Sequence, residues 1–167
     1  MVSISIYAQA LNSPHAIAHP AVFFWHGTIS TDVETARATT SLTDSEGCSA
    51  LMYAIVGQRD DVALRLIRDG ANLAGCDQTG KTPLHYAVTL GRIKMARALL
   101  RAGSEVNASD RHGTTSLMIA ASAGHTAIVS LLLGCGARRD QRDGAGRDAR
   151  TYAQSAGYGR IFKLLDR

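Results

Sequence analysis

The chain has 167 residues, 46% of them apolar and 19% charged, a balance that suits one domain with a sizeable core and excludes wholesale disorder. Its formal charge is +4, and no window approaches ~18 uninterrupted apolar residues, so no membrane-spanning helix is expected. Cys48, Cys76 and Cys135 are an odd, widely spaced set, which argues against a disulfide framework or a zinc site and for reduced thiols.

Residues 1–43 contain Pro14, Pro20 and the apolar run Ala21-Val22-Phe23-Phe24-Trp25, with Arg37 the only Lys or Arg. They lack the basic cluster and compact apolar stretch of a secretory leader, so a cytoplasmic or nuclear location is expected. Two readings stand open for this segment. It is a disordered extension, or its aromatics dock over the outer side of the structure that follows.

From residue 44 the sequence becomes periodic. Asp44, Asp77, Asp110 and Asp143 lie 33 residues apart, and each is followed three residues later by Gly47, Gly80, Gly113 or Gly146. Leu51, Leu84 and Leu117 keep the same register, as do Leu66, Leu99, Leu132 and Leu165, and Gly70, Gly103 and Gly136. Within one period, Thr82 has the hydroxyl of a helix N-cap and Pro83 sits where a missing N–H costs nothing. Leu84, Ala87 and Val88 then stripe a short first helix, which Gly91 ends by taking a positive φ. A second helix follows with Met95, Ala96, Leu99 and Leu100 on its buried side, stopped by Gly103. Polar Ser109-Asp110-Arg111-His112-Gly113 suits a projecting turn. Such helix pairs are too small to bury their stripes alone and need stacked neighbours.

A 33-residue period with Thr82-Pro83-Leu84-His85 resembles the ankyrin repeat family. The resemblance covers residues 44–76, 77–109 and 110–142, with a shortened unit at 143–167. It implies an all-α ankyrin-repeat solenoid of about four helix-turn-helix units with projecting β-turn fingers. The last unit replaces the register leucine with Arg150 and carries Asp166 where the others have Ile67, Leu100 and Leu133. Charged residues at core positions mark a capping repeat. In the 44–76 unit Gln58 stands at the Gly91 position, with Gly57 before it, so that first helix is expected to end about one residue early.

The remaining chemistry is sparse. His85 and His125 lack carboxylate or thiol partners at ligand spacing, and in this family such histidines bond within and between repeats. No nucleophile elbow, phosphate-binding loop or dinucleotide fingerprint is present, so neither an enzyme nor a cofactor or small-molecule substrate is expected. The resemblance implies instead a protein-binding adaptor or regulatory module, using turn tips and the inner faces of the first helices. By register that surface comprises Gln78, Thr79, Lys81, Thr89 and Leu90, then Arg111, His112, Thr114, Ser122 and Ala123, and Arg147 in the last unit. Ser45, Glu46 and Cys48 are their counterparts in the first, and the charge drifts from acidic to basic along the series. Two alternatives stand beside this reading: a scaffold that self-associates through its apolar N-terminus, and an electrostatic nucleic-acid binder using Arg138, Arg139, Arg142, Arg147 and Arg150. The second lacks the aromatic interleaving or the motif that nucleic-acid recognition uses, and the basic end reads better as a solvated cap.

Overall fold

The computed structural model describes residues 43–166, so the readings of residues 1–42 lie outside the described residues. Eight α-helices occur among these residues, all of seven or nine residues, with isolated β-bridges and no longer strand. The described residues divide into two compact units, one ending at Asn72 and the other beginning at Leu73.

In the first unit, α1 (Ala50–Val56) and α2 (Asp60–Arg68) pack antiparallel on each other. Ser49 caps α1, its Oγ accepting from Met52 N–H at 3.3 Å. Leu51, Met52 and Ile55 of α1 and Ala63 and Leu66 of α2 are buried. The expected early end of α1 does not occur. The helix stops at Val56, the register equivalent of Thr89, and Gln58 takes a left-handed φ of +58° where Gly91 takes +68°. The turn has to deliver the chain to the second helix, and its backbone bonds are the same in both repeats. Arg59 N–H reaches Ala54 O at 2.9 Å as Arg92 N–H reaches Ala87 O at 2.8 Å. Tertiary geometry therefore imposes on Gln58 a conformation it disfavours.

The second unit holds three helix pairs: α3 (Pro83–Thr89) with α4 (Ile93–Arg101), α5 (Ser116–Ser122) with α6 (Thr126–Gly134), and α7 (Ala149–Ser155) with α8 (Gly159–Leu165). The first helices stack α3 on α5 on α7, and the second helices α4 on α6 on α8. The core lies between the two layers. It contains Leu84, Ala87 and Val88 of α3, Met95, Ala96 and Leu99 of α4, the same register positions of the next pair, and of the last pair Ala153, Ile161 and Leu165, while Leu100 is only half-buried.

Capping chemistry varies from repeat to repeat. Thr115 and Asp148 accept from the N–H groups of Met118 and Thr151 at 3.3 and 2.8 Å, as an N-cap side chain should. At Thr82 the buried His85 ring closes the first turn instead. Its Nδ1 accepts from Thr82 N–H at 3.1 Å and lies 2.9 Å from the Thr82 hydroxyl. Burial pushes the His85 imidazole below its ordinary pKa, and the carbonyls of Thr114 and Ala108, which favour the charged ring, do not offset it. The ring therefore stays neutral, with Nδ1 free to accept.

The expected terminal swaps find each other. Arg150 and Asp166 form an ion pair at 2.7 Å, and the Arg150 guanidinium lies 4.5 Å from the centre of the Phe162 ring. Both charged side chains are about half exposed (47% and 52%), so the last repeat turns a solvated face where earlier repeats turn leucine.

Candidate protein-binding surface

Each projecting finger is built by its register aspartate. Asp44, Asp77, Asp110 and Asp143 each use Oδ1 to accept the backbone N–H groups two and four residues on, at 2.8–3.0 Å. The aspartate's own N–H and C=O close the turn against the residue four on and the glycine three on. One carboxylate oxygen thus fixes a whole loop, which explains the strict 33-residue spacing of aspartate.

The other carboxylate oxygen is held from the first helix. Tyr53, Tyr86 and Tyr152 donate their hydroxyls to Oδ2 of Asp44, Asp77 and Asp143, nine residues earlier in each case. Sequence reasoning overlooked these tyrosines, although their recurrence at 33 and 66 residues was there to be read; Ile119 breaks the series. Burial pushes the Asp77 carboxyl up, but the bonds from Tyr86, Thr79 and Lys81 together hold it below the usual range. At Asp143 the Tyr152 hydroxyl and the Arg147 backbone and guanidinium hold the carboxyl far below that range.

In the second unit the fingers are also tied to one another. Arg111 N–H donates to Thr79 O at 2.9 Å, and Gly144 N–H donates to His112 O at 2.7 Å. A Cβ on Gly80, whose φ is +82°, would stand 2.7 Å from Arg111 N, so glycine is needed there both for the turn and for this close approach.

Gln78, Thr79, Leu90, Arg111 and His112 are exposed, and Lys81 and Thr114 are half-buried. The interfinger bonds bring Thr79 beside Arg111 and His112 beside Gly144, while Leu90 lies at the far end of α3, where it is its C-cap. Thr79 is partly committed, its hydroxyl donating to Asp77 at 2.7 Å. Arg147 is more so. Its Nε donates to Asp143 Oδ2 at 2.9 Å, an Nη donates to the Tyr152 hydroxyl at 2.8 Å, and the guanidinium lies 4.7 Å from the Tyr152 ring centre. That side chain braces its own finger while leaving 52% of its surface open. Thr89, Ser122 and Ala123 are exposed along the same helix ends. His125 is structural: its ring covers Gly91, where a Cβ would come within 2.9 Å of it.

The arrangement offers a row of rigid loops with polar and basic side chains at their tips. Among the described residues no group of three or more His, Cys, Asp or Glu could hold a metal ion, and no helix is long and apolar enough to cross a membrane.

Helix pairs stacked in register and joined through aspartate-built fingers define a class, the helix-turn-helix repeat solenoid. The chain belongs to the ankyrin repeat family: the family profile described as ankyrin repeats (3 copies) matches residues 26–110, and that described as ankyrin repeats (many copies) matches residues 99–145. The first match begins ahead of the period recognised from residue 44. No curated protein sequence matches the chain.

Proposed function

We propose that this protein is a non-catalytic adaptor or regulatory module that holds another protein against the finger tips and first-helix ends of its second unit. Ankyrin repeats generally mediate protein–protein interaction. The observation that carries the reading here is the chain of backbone bonds from Thr79 to Arg111 and from His112 to Gly144. It fixes the finger backbones of three repeats against one another before any partner arrives, which lowers the ordering cost of binding. Lys81, Leu90, Arg111 and His112 are the contact residues, with Gln78, Thr79 and Thr114 at their margins and Arg147 contributing its open edge. The basic side chains favour a partner with an acidic docking surface and steer its approach.

The test compares two double reversals of equal charge. A partner is first captured by proximity labelling, and its association with purified variants is then timed. Lys81→Glu with Arg111→Glu should slow association by about tenfold at low salt. Arg138→Glu with Arg139→Glu, in the exposed loop after α6, should change it by less than about threefold. Arg147 is left intact because its reversal would break the finger it braces. Equal losses from both pairs would reduce the interaction to general attraction and remove the surface assignment.

A further inference from the structure

The second helices of the second unit carry a feature that the finger surface does not use. On α4, Lys94, Arg97 and Arg101 are exposed at spacing i, i+3, i+7, which is one face of a helix. On α8, Arg160 and Lys163 are exposed at the positions 66 residues after Lys94 and Arg97. The matching positions of α6, between them, are Ala127, Ser130 and Gly134, also exposed. Their buried counterparts align in the same way, Met95 with Ile128 and Ile161, and Leu99 with Leu132 and Leu165. The three helices pack side by side in that order, so the exposed positions also line up across them. None of the five cations forms an ion pair among the described residues, and α4, α6 and α8 contain no carboxylate.

Two rows of cations therefore border a strip of minimal side chains. The strip is chemically quiet, since the Ser130 hydroxyl donates to Thr126 O at 3.1 Å. Gly134 is not required by the fold: open space surrounds the place of a Cβ there, and its φ is not left-handed. Neighbouring packed helices lie roughly 8–10 Å apart, which puts the two rows about 16–20 Å from each other. A helix about 10–12 Å across fits between them. Side chains no larger than serine let its backbone approach α6, and the long cations on either side reach its flanks.

We propose that this outer face is a second docking surface, and that its occupant is a partner protein's α-helix bearing a small-residue or apolar stripe with Asp or Glu on both flanks. Charge complementarity selects the occupant. A nucleic-acid duplex, about twice as wide, could not reach the α6 strip between the rows, and the strip offers single strands no aromatic platform. The surface is independent of the finger tips, so either assignment can fail alone.

The full chain is titrated with a fluorescent helical peptide carrying alanine on one face and glutamate on both flanks. A sequence isomer with its glutamates spread evenly around the helix, a DNA duplex and phosphatidylserine vesicles serve as the other probes. The flanked peptide should bind saturably and at least about tenfold more tightly than its isomer. Lys94→Glu with Arg97→Glu, and separately Arg160→Glu with Lys163→Glu, should each weaken it by about tenfold or more, and Arg138→Glu with Arg139→Glu by less than about threefold. Ser130→Arg separates a seat from a charged surface. It adds a cation but fills the strip, so it should weaken the peptide by about tenfold, whereas diffuse attraction would strengthen it. All the altered side chains are exposed, and circular dichroism verifies each fold. No saturable binding, tighter binding after Ser130→Arg, or a duplex or vesicle that binds more tightly with the same sensitivities would each overturn the proposal.

Discussion

Gln58 shows how one position can be forced by its surroundings. It is the only non-glycine residue at positive φ among the described residues, and it stands where Gly91, Gly124 and Gly157 stand in the later repeats. A side chain in the left-handed region costs roughly 1–2 kcal/mol, while glycine loses more backbone freedom on folding. Gln58→Gly should therefore stabilise the protein modestly, by up to about 1 kcal/mol, read as a higher urea midpoint at unchanged slope. A lower midpoint would show that the Gln58 side chain makes a compensating contact. The register aspartates are the opposite case. Each does locally what only a few residue types can do, accepting two backbone N–H groups of its own loop, and so each could be recognised from sequence.

At the scale of the element, the helices are short amphipathic pieces whose stability comes from the layer they pack into. Seven- and nine-residue helices are far below the length at which isolated helices persist in water. Leu99 of α4 is fully buried in the second unit, whereas Lys81 lies half-buried at the base of a finger. Leu99→Ala should cost about 2–5 kcal/mol and Lys81→Ala no more than about 0.5 kcal/mol in chemical denaturation. Equal costs would mean that the assignment of inner and outer faces is wrong. The second helices of this unit also show why an amphipathic pattern can be incomplete evidence. Their buried faces are nearly interchangeable, but their solvent faces are basic on α4 and α8 and neutral on α6, a difference the core does not require.

At the scale of the whole molecule, charge is unevenly divided and stability should depend on pH in two steps. Residues 73–167 hold 14 Lys and Arg against 7 Asp and Glu, a net +7, while residues 1–72 hold 4 against 7, a net −3; together these give the +4 of the chain. The His85 imidazole is depressed by burial, with Asp110 favouring its protonation and Lys81 opposing it. The unfolded imidazole takes up a proton near pH ~6.5 while the folded one resists, so stability is complete above that value and declines below it. Asp77, Asp143 and Asp148 are held low by their hydrogen bonds, chiefly from Tyr86, Tyr152 and Thr151. Their contribution is complete above pH ~4 and is lost as pH falls through the folded-state values. Urea midpoints should thus drop between about pH 7.5 and 5.5, and again more steeply below about pH 4. A midpoint that stays level down to pH ~5 would remove His85 from this account.

The sequence by itself determined the repeat, the helices and the turns. These depend on interactions spanning a few residues, such as Asp77 with the N–H groups of Thr79 and Lys81, and on a 33-residue period that repeats them. It also located the face on which Thr79, Arg111 and His112 meet, because register carries position from one repeat to the next. The bracing of Arg147 by Asp143 and Tyr152, four and five residues away, is local as well, but showed itself only in the folded finger. Tertiary structure decided the rest: that Gln58 must adopt a glycine's conformation and that Arg150 and Asp166 answer each other. The rows on α4 and α8 became a surface only when the helices were laid side by side. Each of these outcomes turns on which side chains packing brings within a few ångströms, and single-chain periodicity specifies which face a residue occupies but not what it meets there.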